Sequence, residues 1–201
     1  MKQLLILASL LFLLNSCASY SRKRNKKYHQ KLEQNDLKKL EGIYEIIPNR
    51  RYYKDSIVIF SKNEKPYQRL HSAFNFKNVQ IDSTARYSFK IFDIDEKSIN
   101  CSLIENDSIL FTKSIAGKLK KNGTFHFKKH EVHVFELPYI LGSLEHSKVR
   151  IGLTIDNQLF VEDAEIVGGG FLIILFSGWR DYSSTLGYNR IGSTYDLKLT
   201  R

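Results

Sequence analysis

From residue 42 onward, apolar and polar positions alternate with a period of two in short runs such as SFKIFDI, SINCSLI and TFHF. That period places successive side chains on opposite faces of an extended strand. The pattern predicts strands over 42–47, 55–60, 86–94, 98–105, 108–119, 124–128, 132–137, 148–155, 159–167, 171–179 and 192–199. Turn residues punctuate them. Asp95-Glu96-Lys97, Asn106-Asp107, Lys121-Asn122-Gly123 and Asp156-Asn157-Gln158 each separate two alternating runs. Lys121-Asn122-Gly123 fits a three-residue hairpin loop with Gly123 in the left-handed region. That register sets Leu119 opposite Phe125 and Gly117 opposite Phe127, so Ile115, Leu119, Phe125 and Phe127 share one face.

Other segments read less regularly. Residues 61–85 lack alternation and are expected to form a long loop or a short helix over one end of the sheet. Lys128-Lys129-His130-Glu131 reads as a four-residue turn, which would make His126 and His133 cross-strand neighbours. Gly168-Gly169-Gly170 precedes the apolar run Phe171–Phe176, and glycines there relieve crowding or form a bulge. Trp179-Arg180-Asp181-Tyr182-Ser183-Ser184 reads as a polar turn or the mouth of a pocket. The predicted architecture is all-β: an antiparallel up-and-down meander of about 8–10 strands, whose closure would remove exposed edges.

The N-terminus follows a different pattern. Leu4–Leu14 is an unbroken run of 11 small or apolar residues after a basic start. As a helix it would be about 16 Å long, whereas a span needs about 20 residues. Basic start, short apolar core and small residues near its end describe a secretory signal peptide. Leu14-Asn15-Ser16-Cys17 resembles the lipobox of bacterial lipoproteins, with Asn15 a less usual residue at its position. The resemblance implies cleavage after residue 16 and acylation of Cys17, the candidate lipid-attachment residue. It also implies an outer-membrane address, because Ala18 stands where an aspartate would signal inner-membrane retention. Several acyl chains hold a protein on a membrane without a spanning helix. The competing reading is an ordinary secreted protein with a chance cysteine.

Leu40-Glu41-Gly42-Ile43-Tyr44 resembles the first strand of lipocalin-like, or calycin, barrels. Tyr44 stands where those families usually carry Trp. The resemblance implies a closed barrel in which an arginine from a late strand packs on that ring; Arg180, Arg190 and Arg201 are the candidates. The organisation expected is a signal peptide over 1–16, a lipidated basic tether over 17–36 and one β-barrel domain over 37–201.

Charge refines this division. Of the net charge of +10, residues 18–40 contribute +6, from eight Lys or Arg against two acids. Residues 41–201 contribute only +3, from 22 basic and 19 acidic residues, and Lys2 supplies the last unit. The basic tether favours anionic headgroups beside the anchor. A near-neutral body argues against a nucleic-acid partner. If Cys17 is acylated, Cys101 has no internal disulfide partner and reads as a small core residue.

Candidate chemistry is sparse. His126 and His133 are the one weak pair for a metal, without an evident second shell. No Gly-x-Ser-x-Gly elbow or phosphate-binding loop is present, and no cofactor is expected. The acids Asp93, Asp95, Glu162, Asp163 and Glu165 lie beside turns and suit solubility. Asp55-Ser56-Ile57, Asp82-Ser83-Thr84 and Asp107-Ser108-Ile109 resemble a triplet that certain bacteria O-glycosylate, and also common turn starts. The function expected is non-enzymatic: an envelope lipoprotein on the periplasmic side of the outer membrane, binding a small apolar ligand or an envelope partner. The alternatives are an interaction module with a filled core, such as an assembly accessory or toxin inhibitor, and an envelope hydrolase.

Overall fold

The computed structural model describes residues 28–53, 56–61, 70–76, 79–82, 84–137, 141–171 and 178–193; for 129–146 and 166–182 it describes the backbone alone. The expected signal peptide and Cys17, residues 172–177 of the strand predicted over 171–179, and the segment 194–201 with Arg201 lie outside the described residues. A 3₁₀ helix, Gln34–Leu40, precedes eleven strands: β1 Gly42–Glu45, β2 Arg50–Tyr52, β3 Ile57–Ile59, β4 Tyr87–Phe92, β5 Ser98–Glu105, β6 Ser108–Leu119, β7 Phe125–Leu137, β8 Leu141–Leu153, β9 Leu159–Phe171, β10 Gly178–Tyr188 and β11 Arg190–Gly192. One short helix, α1, spans Leu70–Ala73, within the segment that lacked alternation. The strands form one antiparallel sheet in the order β11-β1-β4-β5-β6-β7-β8-β9-β10-β2-β3, and β4 to β10 run up and down in chain order.

The turns follow from their residues. Asn106 and Asp107 take φ of 46° and 65°, the paired left-handed conformation of a two-residue hairpin. The Asp95 carboxylate accepts hydrogen bonds from the backbone N–H groups of Lys97 and Ser98, both at 2.7 Å. Gly123 takes φ of 78°, and the predicted register holds: Leu119 pairs with Phe125 and Gly117 with Phe127. Gly123 is also crossed by the chain entering the fold, since its carbonyl accepts the Leu32 N–H at 3.3 Å. A Cβ at 123 would run into the backbone of Lys31 and Leu32.

Four expectations are corrected. Lys128–Glu131 is no turn but the middle of β7, which pairs with β8 from Phe125 to Leu137. A register shift between Lys128 and His130 absorbs one extra residue there. Polar side chains do not interrupt a ladder made by the backbone. His126 therefore lies opposite Arg150, and His133 opposite Leu144. Those partners are six residues apart on β8, about 20 Å at 3.3 Å per residue, so the two histidines do not meet. For the same reason 179–184 is a run of β10 paired with β9, not a turn. The glycines 168–170 lie in continuous register with β8, and Gly168 and Gly169 also with β10, with no bulge in these pairings. Lastly, the folded part begins before residue 37. His29 bridges Thr154, the Gln30 N–H donates to the Leu153 carbonyl at 2.9 Å, and Leu32 is buried. Residues 28–36, expected in the tether, pack on the body.

The core lies on one face of the sheet. Tyr44, Phe89, Ile99, Cys101, Phe125, Ile151, Val161 and Leu186 are buried there. Ile115 and Phe127 are buried beside them and Leu119 partly so, as their shared face requires. Helix α1 closes over this face. Its Leu70 and the following Phe74 are fully buried, and the Phe74 ring lies 4.7 Å from Phe89 and 5.1 Å from Phe127.

Candidate functional site

Three polar arrangements stand out against this apolar frame. The first joins the 3₁₀ helix and β1 to β11. The Tyr44 phenol donates to the Leu40 carbonyl at 2.7 Å, where the 3₁₀ helix ends. The Arg190 guanidinium sits over the Tyr44 ring at 5.3 Å and donates to its phenol oxygen at 2.7 Å. It also donates to the Lys39 carbonyl. Of the three arginines considered for this contact, Arg190 makes it; the Arg180 side chain and Arg201 lie outside the described residues. Burial pushes the Tyr44 phenol up, and the Arg190 charge opposes that shift. One cation thus ties the 3₁₀ helix, β1 and β11 together.

The second arrangement is a row on the sheet face opposite the core. His126 pairs with Arg150, Arg150 with Glu162, and Glu162 with Thr185, across β7, β8, β9 and β10. Opposed residues of an antiparallel ladder share a face, so these four side chains form a line. Arg150, Glu162 and Thr185 are buried, and Glu162 fully so. The Arg150 Nε donates to Glu162 Oε2 at 2.7 Å, and Nη2 donates to the same oxygen. The N-terminal segment helps to cover the row. The His29 ring stacks on Phe160 with centroids 3.5 Å apart and planes 9° apart.

Burial, with the Arg150 charge second, lowers His29 to about 3. Burial also lowers His126 to about 4, with Arg150, Lys120 and Lys148 adding to it. The His126 Nε2 is 2.7 Å from the Thr124 hydroxyl. The sign of the pH dependence follows. Below the ordinary value of 6.5 the unfolded chain protonates both imidazoles, whereas the fold keeps them neutral until about 4 and about 3. Stability is therefore full above pH 6.5 and declines as pH falls through that window. His29 alone contributes a slope of about 1.4 kcal/mol per pH unit. Urea midpoints between pH 7 and pH 5 should fall, and a His29→Gln, His126→Gln variant should flatten the profile. An unchanged profile in that variant would contradict imidazoles held neutral by partial burial.

The third arrangement is an open groove of about 730 Å³ beside the chain's entry into the fold. Lys31 from the N-terminal segment, Lys97 from the β4–β5 turn, and Lys118, Lys120 and Lys121 from the β6–β7 hairpin line it. All five are exposed. Two acids, Glu33 and Glu96, share the lining.

Other sequence candidates find ordinary places. Cys101 is fully buried; burial pushes its thiol up to about 12, and its Sγ lies 3.4 Å from the Lys113 carbonyl. A thiol held protonated is a poor nucleophile. Asp163 lies opposite Val149 on the core side, and Glu162 in the buried row, so neither is the solvated acid expected. Of the Asp-Ser triplets, only Asp107-Ser108-Ile109 is wholly described; it is exposed at a turn and strand start. The His133 side chain lies outside the described residues, and among these no three His, Cys, Asp or Glu residues gather as a metal set. Among the described residues no helix is long and apolar enough to cross a membrane.

Sequence reasoning missed the buried row and the groove. Glu162 was read as a solubility residue beside a turn, and Arg150 lies on the face that its alternating run turns away from the core. The groove's lysines come from three separate stretches, and only the fold brings them together. No family model matches this chain, and neither a curated protein nor a solved structure does.

Proposed function

We propose that this chain is a lipid-anchored, non-enzymatic interaction module of the bacterial envelope, held at the membrane by acylated Cys17. Its body is a closed, calycin-like barrel with a filled interior. Closure is supported by the pairing of one chain segment with both ends of the sheet. Residues 42–52 contain β1, which pairs with β4 and β11, and β2, which pairs with β10. Between them the Glu45 N–H donates to the Asn189 carbonyl and the Asn49 N–H to that of Gly187. The Tyr44–Arg190 contact is the one that the calycin resemblance implies.

The observation that carries the interaction-module reading is the packing of Phe74. It occupies the core between Phe89 and Phe127, in the space where a carrier would hold a ligand. A filled interior moves recognition to the outer surface, so the partner is an envelope component and not an enclosed small molecule. The anchor and the periplasmic outer-membrane address rest on Leu14-Asn15-Ser16-Cys17 and Ala18. Native mass spectrometry of the unacylated Cys17→Ser chain tests the filled interior. The expected spectrum is the mass of the polypeptide alone. A stoichiometric co-purifying lipid or apolar small molecule would overturn this reading in favour of a ligand carrier.

A further inference from the structure

The groove beside the chain's entry has a charge pattern that the tether alone does not explain. Five exposed lysines face two glutamates around it. Among the described residues none of the five makes a side-chain hydrogen bond or ion pair, whereas Lys39 pairs with Asp36 and Arg50 with Asp156. The rest of the body is close to neutral, so this is a local concentration of charge. It is continuous with the tether, because Arg22, Lys23, Arg24, Lys26 and Lys27 precede Lys31 by four to nine residues.

We propose that this lysine groove is a second membrane contact, which receives the phosphate-bearing headgroups of an anionic lipid surface and fixes which end of the barrel faces it. The inference extends the anchoring reading, since acyl chains at Cys17 would deliver this end of the body to that surface. Two features select a lipid over a nucleic acid. The lining contains no aromatic residue on which bases could stack. Its lysines are mobile point charges spread over two hairpin ends and a chain entry, which suits a field of headgroups. A basic residue close to an anionic bilayer strengthens binding about fivefold, and the effect decays within a Debye length.

The test uses the full mature chain with Cys17→Ser, so that binding is read without acyl chains. Sedimentation compares vesicles of phosphatidylcholine alone with vesicles containing roughly one-third phosphatidylglycerol. Binding is expected to the anionic vesicles only, and to weaken as salt rises. Lys118→Gln, Lys120→Gln, Lys121→Gln together should lower the partition constant about a hundredfold. These side chains are exposed, so the unfolding midpoint should not move. A variant with the five tether basics changed to Gln should retain binding that the hairpin substitutions then abolish. Equal binding by the hairpin variant would overturn the proposal, as would equal binding to neutral vesicles. Displacement of the vesicles by single-stranded oligonucleotide at lower concentration than by inorganic polyphosphate of equal charge would also overturn it, in favour of a nucleic-acid site. Failure of acylation at Cys17 would not touch these outcomes, because the unacylated chain is the one measured.

Discussion

Phe74→Ala should lose about 3–5 kcal/mol of unfolding free energy, because it removes a fully buried ring from the middle of the core. The ring follows a helix of a single turn, and the Phe74 N–H returns to the Leu70 carbonyl at 3.3 Å. So short a helix has no stability of its own. It is held by what it buries, namely Leu70, Ala73 and Phe74. Loss of the ring therefore removes both the packing against Phe89 and Phe127 and the reason for α1 to dock. Domains of this size have about 5–15 kcal/mol in total, so the Ala variant is near its limit at physiological temperature. Phe74→Leu keeps most of the volume and should lose about 1–2 kcal/mol. Urea denaturation of both variants checks the pair. A loss below about 1 kcal/mol in the Ala variant would mean that the ring does not fill the interior, and the interaction-module reading would lose its main support.

Glu162→Ala should cost about 3–5 kcal/mol, for a different reason. Glu162 is fully buried and its Oε2 receives both Nε and Nη2 of Arg150. Removing it withdraws the carboxylate that accepts two N–H groups of a guanidinium only 6% exposed. The cost comes from leaving that buried charge less compensated, more than from the lost attraction. The double substitution Arg150→Met, Glu162→Leu removes both charges and should come within about 2 kcal/mol of the parent. The two results together separate an under-compensated buried charge from simple loss of packing. Comparable losses in the single and double variants would contradict the argument. The double variant should also raise the titration of His29 and His126, since Arg150 helps to depress both.

The sequence and the fold agree where the determinants are local. Asn106-Asp107, Gly123 and Asn157 mark turns because each meets a demand for positive φ within two or three residues. The Leu119–Phe125 register follows from loop length alone. The long strands β7 to β10 were shortened or broken by polar runs such as Lys128–Glu131 and Arg180–Ser184. Those runs lack the alternation that marks a half-buried strand, yet the backbone pairs through them. The early start of β8 at Leu141 was missed for the same reason. The candidate sites were legible only at their chemistry. Tyr44 could be named from its neighbours, but choosing Arg190 required the pairing of residues 146 positions apart. Arg150 and Glu162 carried no sign of burial, because what covers them includes a segment 121 residues before Arg150.

Everything proposed about location follows from a thioether at one side chain, and metabolic labelling with palmitate reads that bond directly. Label should enter the wild-type chain, which fractionates with the envelope, and should be absent from Cys17→Ser, which accumulates as the longer precursor. Equal labelling and equal fractionation of the two chains would contradict the anchor, whatever the outcome for the proposed filled interior.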